Sequence, residues 1–192
     1  KGGAGTNSIA GGNPYGMTNA PLDPGSGGGN GAGGTGGHGG GLIWIEATGN
    51  IRLDGTLSAS GAPGNSGTWG GGGGGSGGAI HIRCGAFRGT TGILQADGGN
   101  NGTSANGWLG GGGGGGRIAV WINVPQKTRN DYLAGVGTNK VFCLSTNEQF
   151  MGSVSVTNGT GPYAYPSALC ANPGSACFFT SSHVAGTLFI FF

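Results

Sequence analysis

The chain has 192 residues, 52 of them glycine, and only 7 per cent are charged, for a formal net charge of +2. An ordinary soluble domain carries about 25 per cent charged residues, so the scattered Lys and Arg here form neither a nucleic-acid footprint nor a polybasic membrane patch. The length allows one domain with an appendage, and no stretch is apolar enough for long enough to span a bilayer.

Residues 1–30 read as an irregular, turn-rich partial repeat that ends in Pro21-Leu22-Asp23-Pro24-Gly25-Ser26. No initiator Met or signal peptide precedes Lys1, which reads as a processed start. Residues 31–124 then repeat. The first glycine arm, 27–41, carries Ala32, Thr35 and His38 three apart, and three residues per turn is the period of polyproline II. Arms at 70–78 and 110–116 hold the same phase. Each arm leads into an alternating strand. Gly41-Leu42-Ile43-Trp44-Ile45 returns as Gly78-Ala79-Ile80-His81-Ile82, 37 residues on, and again as Gly116-Arg117-Ile118-Ala119-Val120, 38 residues after that. The isoleucines point one way; Trp44, His81 and Ala119 point the other. A second element, Gly55-Thr56-Leu57-Ser58-Ala59-Ser60-Gly61, returns 37 residues later as Gly92-Ile93-Leu94-Gln95-Ala96-Asp97-Gly98. Glycine at this level often marks a flexible linker, but a linker keeps no register. A fixed period of this size is the signature of a solenoid or array.

Residues 125–149 read as an insertion carrying Cys143, and residues 150–192 as a final, interrupted repeat. Gly152-Ser153-Val154-Ser155-Val156 resumes the second element, 60 residues after Gly92. An excursion over 158–183 carries Cys170 and Cys177, and Gly186-Thr187-Leu188-Phe189-Ile190-Phe191-Phe192 reads as the last strand of the isoleucine ladder. Leu188, Phe189, Ile190, Phe191 and Phe192 form an uncapped apolar edge, which invites strand addition. Together with the outward aromatics Trp44 and Trp121 they are the expected assembly residues. Trp69 and Trp108 are further candidates for stacking on sugars or subunits.

Four cysteines allow three pairings. Cys170 and Cys177 bracket a Pro/Gly/Ser loop and make the natural local pair, which leaves Cys84 with Cys143. Paired cysteines imply an oxidising compartment. Asn101-Gly102-Thr103 and Asn158-Gly159-Thr160 are glycosylation sequons. His38, His81 and His183 lack metal-ligand spacing. Asp54 and Asp97 fall at different repeat phases, and Glu46 and Glu148 have no evident partner. No glycine run leads into Gly-Lys-Ser/Thr. The expectation is therefore a non-enzyme with no cofactor and no metal.

The repeat resembles the glycine-rich modules of large secreted surface proteins in bacteria and protists. The likeness rests on Gly25-Ser26-Gly27-Gly28-Gly29, Leu42-Ile43-Trp44-Ile45, Gly55-Thr56-Leu57-Ser58-Ala59 and Ala96-Asp97-Gly98-Gly99-Asn100-Asn101-Gly102. It covers residues 13–122 and, more loosely, 150–192. A more distant likeness is to the glycine-rich extracellular region of anaplastic-lymphoma-kinase-type receptors. The resemblance implies extracellular scaffolding or adhesion. The expected fold is all-β: glycine-rich, parallel β-solenoid-like repeats with polyproline-II-like glycine arms and little or no helix. The expected function is an extracellular structural subunit that self-assembles into a filament or surface fibre. Its partner is itself, through strand edges and glycine-rich faces, with glycans as a second candidate; nucleic acid and membrane insertion are excluded. The alternatives are an adhesin or carbohydrate-binding module of a larger surface protein, and an ice-binding protein.

Overall fold

A computed structural model describes residues 1–6, 11–13, 15–136, 141–144, 147, 149–161 and 174–180. Its described elements, in chain order, are β1 (Leu42–Glu46), β2 (Asn50–Arg52), β3 (Thr56–Ser58), β4 (Ala79–Cys84), β5 (Ala86–Arg88), β6 (Ile93–Gln95), β7 (Arg117–Ile122), α1 (Gln126–Leu133), β8 (Phe142–Leu144), β9 (Ser153–Ser155) and β10 (Ser175–Thr180). The protein is thus mostly β with one short helix. The strands form three sheets, ordered β1-β4-β7-β10-β8, β2-β5 and β3-β6-β9. All pairings are parallel except β8 against β10.

The pairing register follows the sequence repeat. Trp44 lies opposite His81, His81 opposite Ala119, and Ala119 opposite Cys177. Leu57 lies opposite Leu94, and Leu94 opposite Val154. The resumption of the second element at Gly152 is therefore correct. Alternation turns Ile80, Ile82, Ile118, Val120 and Phe178 onto one face of the large sheet, where they meet Phe87, Leu94, Ala96 and Phe150 in the main core. The opposite face carries a second cluster of Ala119, Trp121, Val124, Cys177 and Phe179. Tyr132 and Leu133 of α1 pack against it.

Two details differ from the sequence reading. The rung that follows β7 in the isoleucine ladder is β10, and the expected strand over 186–192 lies outside the described residues. Gly174 occupies the place of Gly78 and Gly116: a Cβ there would run into the Gly116 backbone. Ala176 and Phe178 then supply the inward apolar positions. Residues 188–192 lie outside the described residues. A third short strand, β2 or β5, also belongs to each of the first two repeats; the sequence gives little sign of it, because Asn50-Ile51-Arg52 and Ala86-Phe87-Arg88 share only one apolar position and a terminal arginine.

The glycine-rich segments are ordered by backbone hydrogen bonds with a period of three. In residues 71–78, Gly71, Gly74 and Gly77 donate to the carbonyls of Trp108, Gly111 and Gly114. Gly72, Gly75 and Gly78 donate to Asn65, Ala62 and Ala59, while Gly73 and Ser76 donate to Gly29 and Ser26. Carbonyls of the same segment accept from Gly3 and Thr6, from Gly37 and Gly40, and from Gly99 and Gly102. One segment is thus bonded to six neighbours, and consecutive residues address different ones. Neighbours bond to one another as well: Ala62 donates to His38, Gly113 to Gly99, and Gly111 to Ala4. Residues 1–6 and 25–31 belong to this array and are held by the glycine segments that follow them.

Such close approach leaves no room for side chains. A Cβ on Gly72, Gly74 or Gly75 would land on the carbonyl oxygen of Thr35, Gly99 or His38, far inside contact distance. Where a segment faces outward, side chains return at the same period: Thr35 and His38 are exposed while Gly34, Gly37 and Gly40 are buried. Gly74→Ala is therefore expected to destabilise by about 2–3 kcal/mol or more, as overpacking of a rigid site does. Gly41 meets nothing within 4 Å, so Gly41→Ala is expected to be neutral or to stabilise by up to about 1 kcal/mol. Urea denaturation of the two variants checks the contrast.

Candidate functional site

The first repeat leaves its strand edges open among the described residues. No strand lies beyond β1, β2 or β3 among the described residues. The ladder to β4 begins with Ala79 donating to Gly41 and ends with Ala47 donating to Arg83. In a parallel pair, alternate residues serve the partner. Odd-numbered residues 41–47 therefore bond to β4, and the N–H and C=O groups of Leu42, Trp44 and Glu46 face away from it. The same alternation turns the backbone of Asn50 and Arg52 away from β5, because Gly85 donates to Gly49 and Leu53 donates to Arg88. It turns Thr56 and Ser58 away from β6, because Ile93 donates to Gly55 and Ala59 donates to Gln95. These seven residues are the exposed positions of their strands.

Trp44 stands on this edge, 56% exposed. Its ring meets His81 edge-on at 6.1 Å. His81 is buried, and its Nδ1 has no hydrogen-bond partner among the described residues. Arg129 of α1 reaches Glu46 of β1 at 3.5 Å and lies close enough to His81 to act on its charge. Burial, then the Arg129 charge, lower the His81 pKa; the Glu46 carboxylate opposes this without reversing it.

The opposite end of the repeats is covered in part. β8 runs antiparallel along β10. Asn147 and residues 149–151 lie along β5: Gly89 donates to Gln149, Met151 donates to Gly89, and the Asn147 amide donates to the Phe87 carbonyl. Of the strand edges at this end, β9 keeps its own open among the described residues.

Trp121 does not face solvent as expected. It is fully buried, stacked on Phe179 at 4.3 Å, and its Nε1 donates to the Asn19 carbonyl. The reason is positional: Trp121 falls opposite Arg83 and Phe179, under α1 and the N-terminal segment, whereas Trp44 lies at the sheet margin.

The cysteine pairing is also corrected. Cys143 bonds to Cys177 across β8 and β10, with Cα atoms 5.5 Å apart. This excludes both Cys170–Cys177 and Cys84–Cys143. Cys84 shares the inward parity of Ile80 and Ile82 and sits in the main core, while Cys177 faces the other side of the sheet. The Cys84 thiol is free, and burial raises its pKa to about 11, so it is no nucleophile. Cys170 lies outside the described residues, as do Glu148 and His183. Asn158 is exposed, whereas Asn101 is half-buried with its side-chain amide donating to the Gly102 carbonyl.

Asp54 and Asp97 are bonded to groups of neighbouring strands. Asp54 accepts from the Thr90 amide, the Arg52 guanidinium and the Thr91 amide, which hold its pKa at about 2. Desolvation pushes the Asp97 pKa up, but bonds from Ser155, Gln95 and Thr157 outweigh it and the net direction is down. Each carboxylate ties its coil to the next. Asp97 belongs to an outward series in which one side-chain oxygen accepts the amide of the following coil: Asp97 N–H to Ser60, Thr103 to Ser66, Thr157 to Asp97, and Thr160 to Asn100. Among the described residues no three His, Cys, Asp or Glu side chains gather as a metal site, and no helix is long and apolar enough to cross a membrane.

Comparison with protein-family models, with curated proteins and with solved structures finds no match for this chain.

Removing the cross-link in a Cys143→Ser/Cys177→Ser variant is expected to cost about 2–4 kcal/mol in chemical denaturation, while Cys84 stays unreactive to thiol reagents until the protein unfolds. His81 gives a pH dependence of definite sign. Its folded pKa lies below the ordinary 6.5, so the unfolded chain takes up the proton first. The His81 contribution is intact above pH 6.5 and is lost as pH falls below it, through the lowered folded-state pKa. Thermal unfolding of wild type and His81→Phe over that range checks it: the variant is expected to flatten the slope.

Proposed function

We propose that this protein is an extracellular structural subunit that self-assembles, and that the first-coil end is its assembly surface. The single observation that carries this reading is the set of open edges on β1, β2 and β3, which present outward backbone donors and acceptors at seven exposed positions. Open strand edges are templates for another chain. The cross-link between Cys143 and Cys177 supports an oxidising, extracellular setting.

In the same reading the coils form a solenoid, and the glycine-rich segments are polyproline-II-like arms. The three-residue period of their hydrogen bonds supports this. Solenoids need capped ends to remain discrete. Here β8, Asn147 and residues 149–151 serve part of one end, while the first coil has no counterpart among the described residues.

The partly covered far end favours head-to-head contact. Two first-coil ends meeting about a two-fold axis give an isologous pair. Pairs of this kind are the proposed building block of a surface fibre, extended through the remaining open edge at β9 and the glycine-rich faces.

The test exploits the alternation of the edge. Thr56→Pro removes an outward N–H without touching the ladder to β6, and Trp44→Lys places a charge on the β1 margin. Both are expected to weaken self-association at least about tenfold by sedimentation equilibrium, with thermal midpoints little changed. A wild type that stays monomeric at high concentration sinks the proposal, and so do edge variants that associate as tightly as wild type.

A further inference from the structure

The turns that join the glycine-rich segments gather at the end of the array away from the strands. Residues 31–34 reverse through Gly33, whose φ of +91° suits glycine, with Gly31 donating to Gly34. Gly33 bridges to Gly70, and Gly67 bridges to Ser104. Residues 104–107 turn back with Gly107 donating to Ser104. Three reversals are thereby fixed side by side at one tip.

Two of the four tryptophans stand on this tip. Trp69 is 70% exposed and Trp108 51% exposed. Their segments run side by side: Gly71, two residues after Trp69, donates to the Trp108 carbonyl at 3.0 Å. The tip is well tied down: Trp108 N–H donates to Ser104 Oγ at 3.0 Å, and the Asn106 amide donates to the Thr68 carbonyl at 3.3 Å. Neither indole makes an aromatic contact among the described residues. Trp121 shows the structural alternative, with full burial, a stacked partner and a bonded Nε1. Covering the glycine segments does not account for Trp69 or Trp108.

The chemistry around the indoles selects the partner. Residues 30–36, 64–72 and 101–110 contain no Asp, Glu, Lys or Arg. They supply neutral hydrogen-bonding groups instead: Ser66, Thr68, Thr103, Ser104 and Asn106. Thr68 and Asn106 are exposed beside the indoles, and the Asn106 amide oxygen has no bond among the described residues. A nucleic acid or an anionic headgroup requires cations, and these segments carry none. Flat aromatic faces interleaved with neutral polar groups fit a ligand that has both C–H faces and hydroxyl edges.

We propose that this charge-free tip binds neutral glycans, with Trp69 and Trp108 stacking on sugar rings and the Thr68 and Asn106 side chains bonding to ring hydroxyls. The site is separate from the first-coil edge, so it stands or falls independently of self-assembly.

The test is a broad array of neutral oligosaccharides, followed by titration of tryptophan emission with the best-retained sugar. A saturable shift is expected. Trp69→Ala and Trp108→Ala are each expected to weaken binding at least about tenfold, while Met151→Ala, at a distant exposed site, leaves it unchanged. Circular dichroism establishes that the variants fold. In wild type, the indole N–H resonances of Trp69 and Trp108 are expected to move on sugar addition while that of Trp121 stays fixed; this reading needs no variant. Retention of no neutral glycan overturns the proposal. So does undiminished binding in the Trp69→Ala/Trp108→Ala double variant, and so does binding to phosphatidylcholine vesicles in place of the glycans.

Discussion

Backbone-to-backbone hydrogen bonding in several directions at once is the constraint on which this molecule depends. An ordinary strand uses its N–H and C=O groups in one plane, to two neighbours. Residues 71–78 use theirs in rotation and reach six. Only glycine permits this, because a Cβ at Gly72, Gly74 or Gly75 would occupy a neighbour's carbonyl oxygen. The cost is conformational: ordering glycine is about 0.5–1 kcal/mol less favourable than ordering alanine. A buried backbone group left without a partner costs about 1–3 kcal/mol. Satisfying both groups of every buried residue is therefore decisive, and a glycine-rich chain that did so only in part would not hold together. The apolar cluster around Ile80, Phe87, Leu94 and Val120 anchors one end of the array and sets the register that the glycine segments continue.

The same logic explains where side chains reappear. At the outermost layer, every third N–H has no further segment to address. Ser60, Ser66, Asp97 and Asn100 fill that role with side-chain oxygens that accept the amide of the next coil. These polar residues replace a missing layer of backbone, and the depressed pKa of Asp97 reflects the bonds it accepts in doing so. Ser60 and Ser66 lie six apart and Asp97 and Asn100 three apart, multiples of the three-residue period of the segments.

Much of this was legible in the sequence, because period and register are properties of spacing. The 37- and 38-residue returns of the isoleucine strand appear directly as Ile43 opposite Ile80 and Ile80 opposite Ile118. The resumption after the insertion appears as Leu94 opposite Val154. What spacing does not carry is lateral coverage. Trp44 and Trp121 look alike in sequence, both on alternating strands, yet one lies at the sheet margin and the other beneath α1. The cysteines failed for a related reason. Proximity in sequence favoured Cys170 with Cys177, but the antiparallel approach of β8 to β10, a contact made by an insertion outside the repeat, delivers Cys143 instead. β10 itself was hidden because its cysteine made the segment read as a loop.

The interior of this array is mostly backbone: Ser76 is a buried side chain within it, and the N–H groups of residues 71–78 are spent on neighbouring segments. Three kinds of boundary surround it. The outer face is closed by its own side-chain bonds. The first-coil edge is open in backbone groups and poor in side-chain chemistry, which suits another strand more than a small ligand. The turn tip is the reverse: its backbone is bonded and rigid, and its side chains are large, neutral and exposed. Because each segment is fixed by neighbours in several directions, the spacing between turns at that tip cannot relax. A surface of this kind presents its indoles already in place, and little conformational freedom remains to be lost when a ligand arrives.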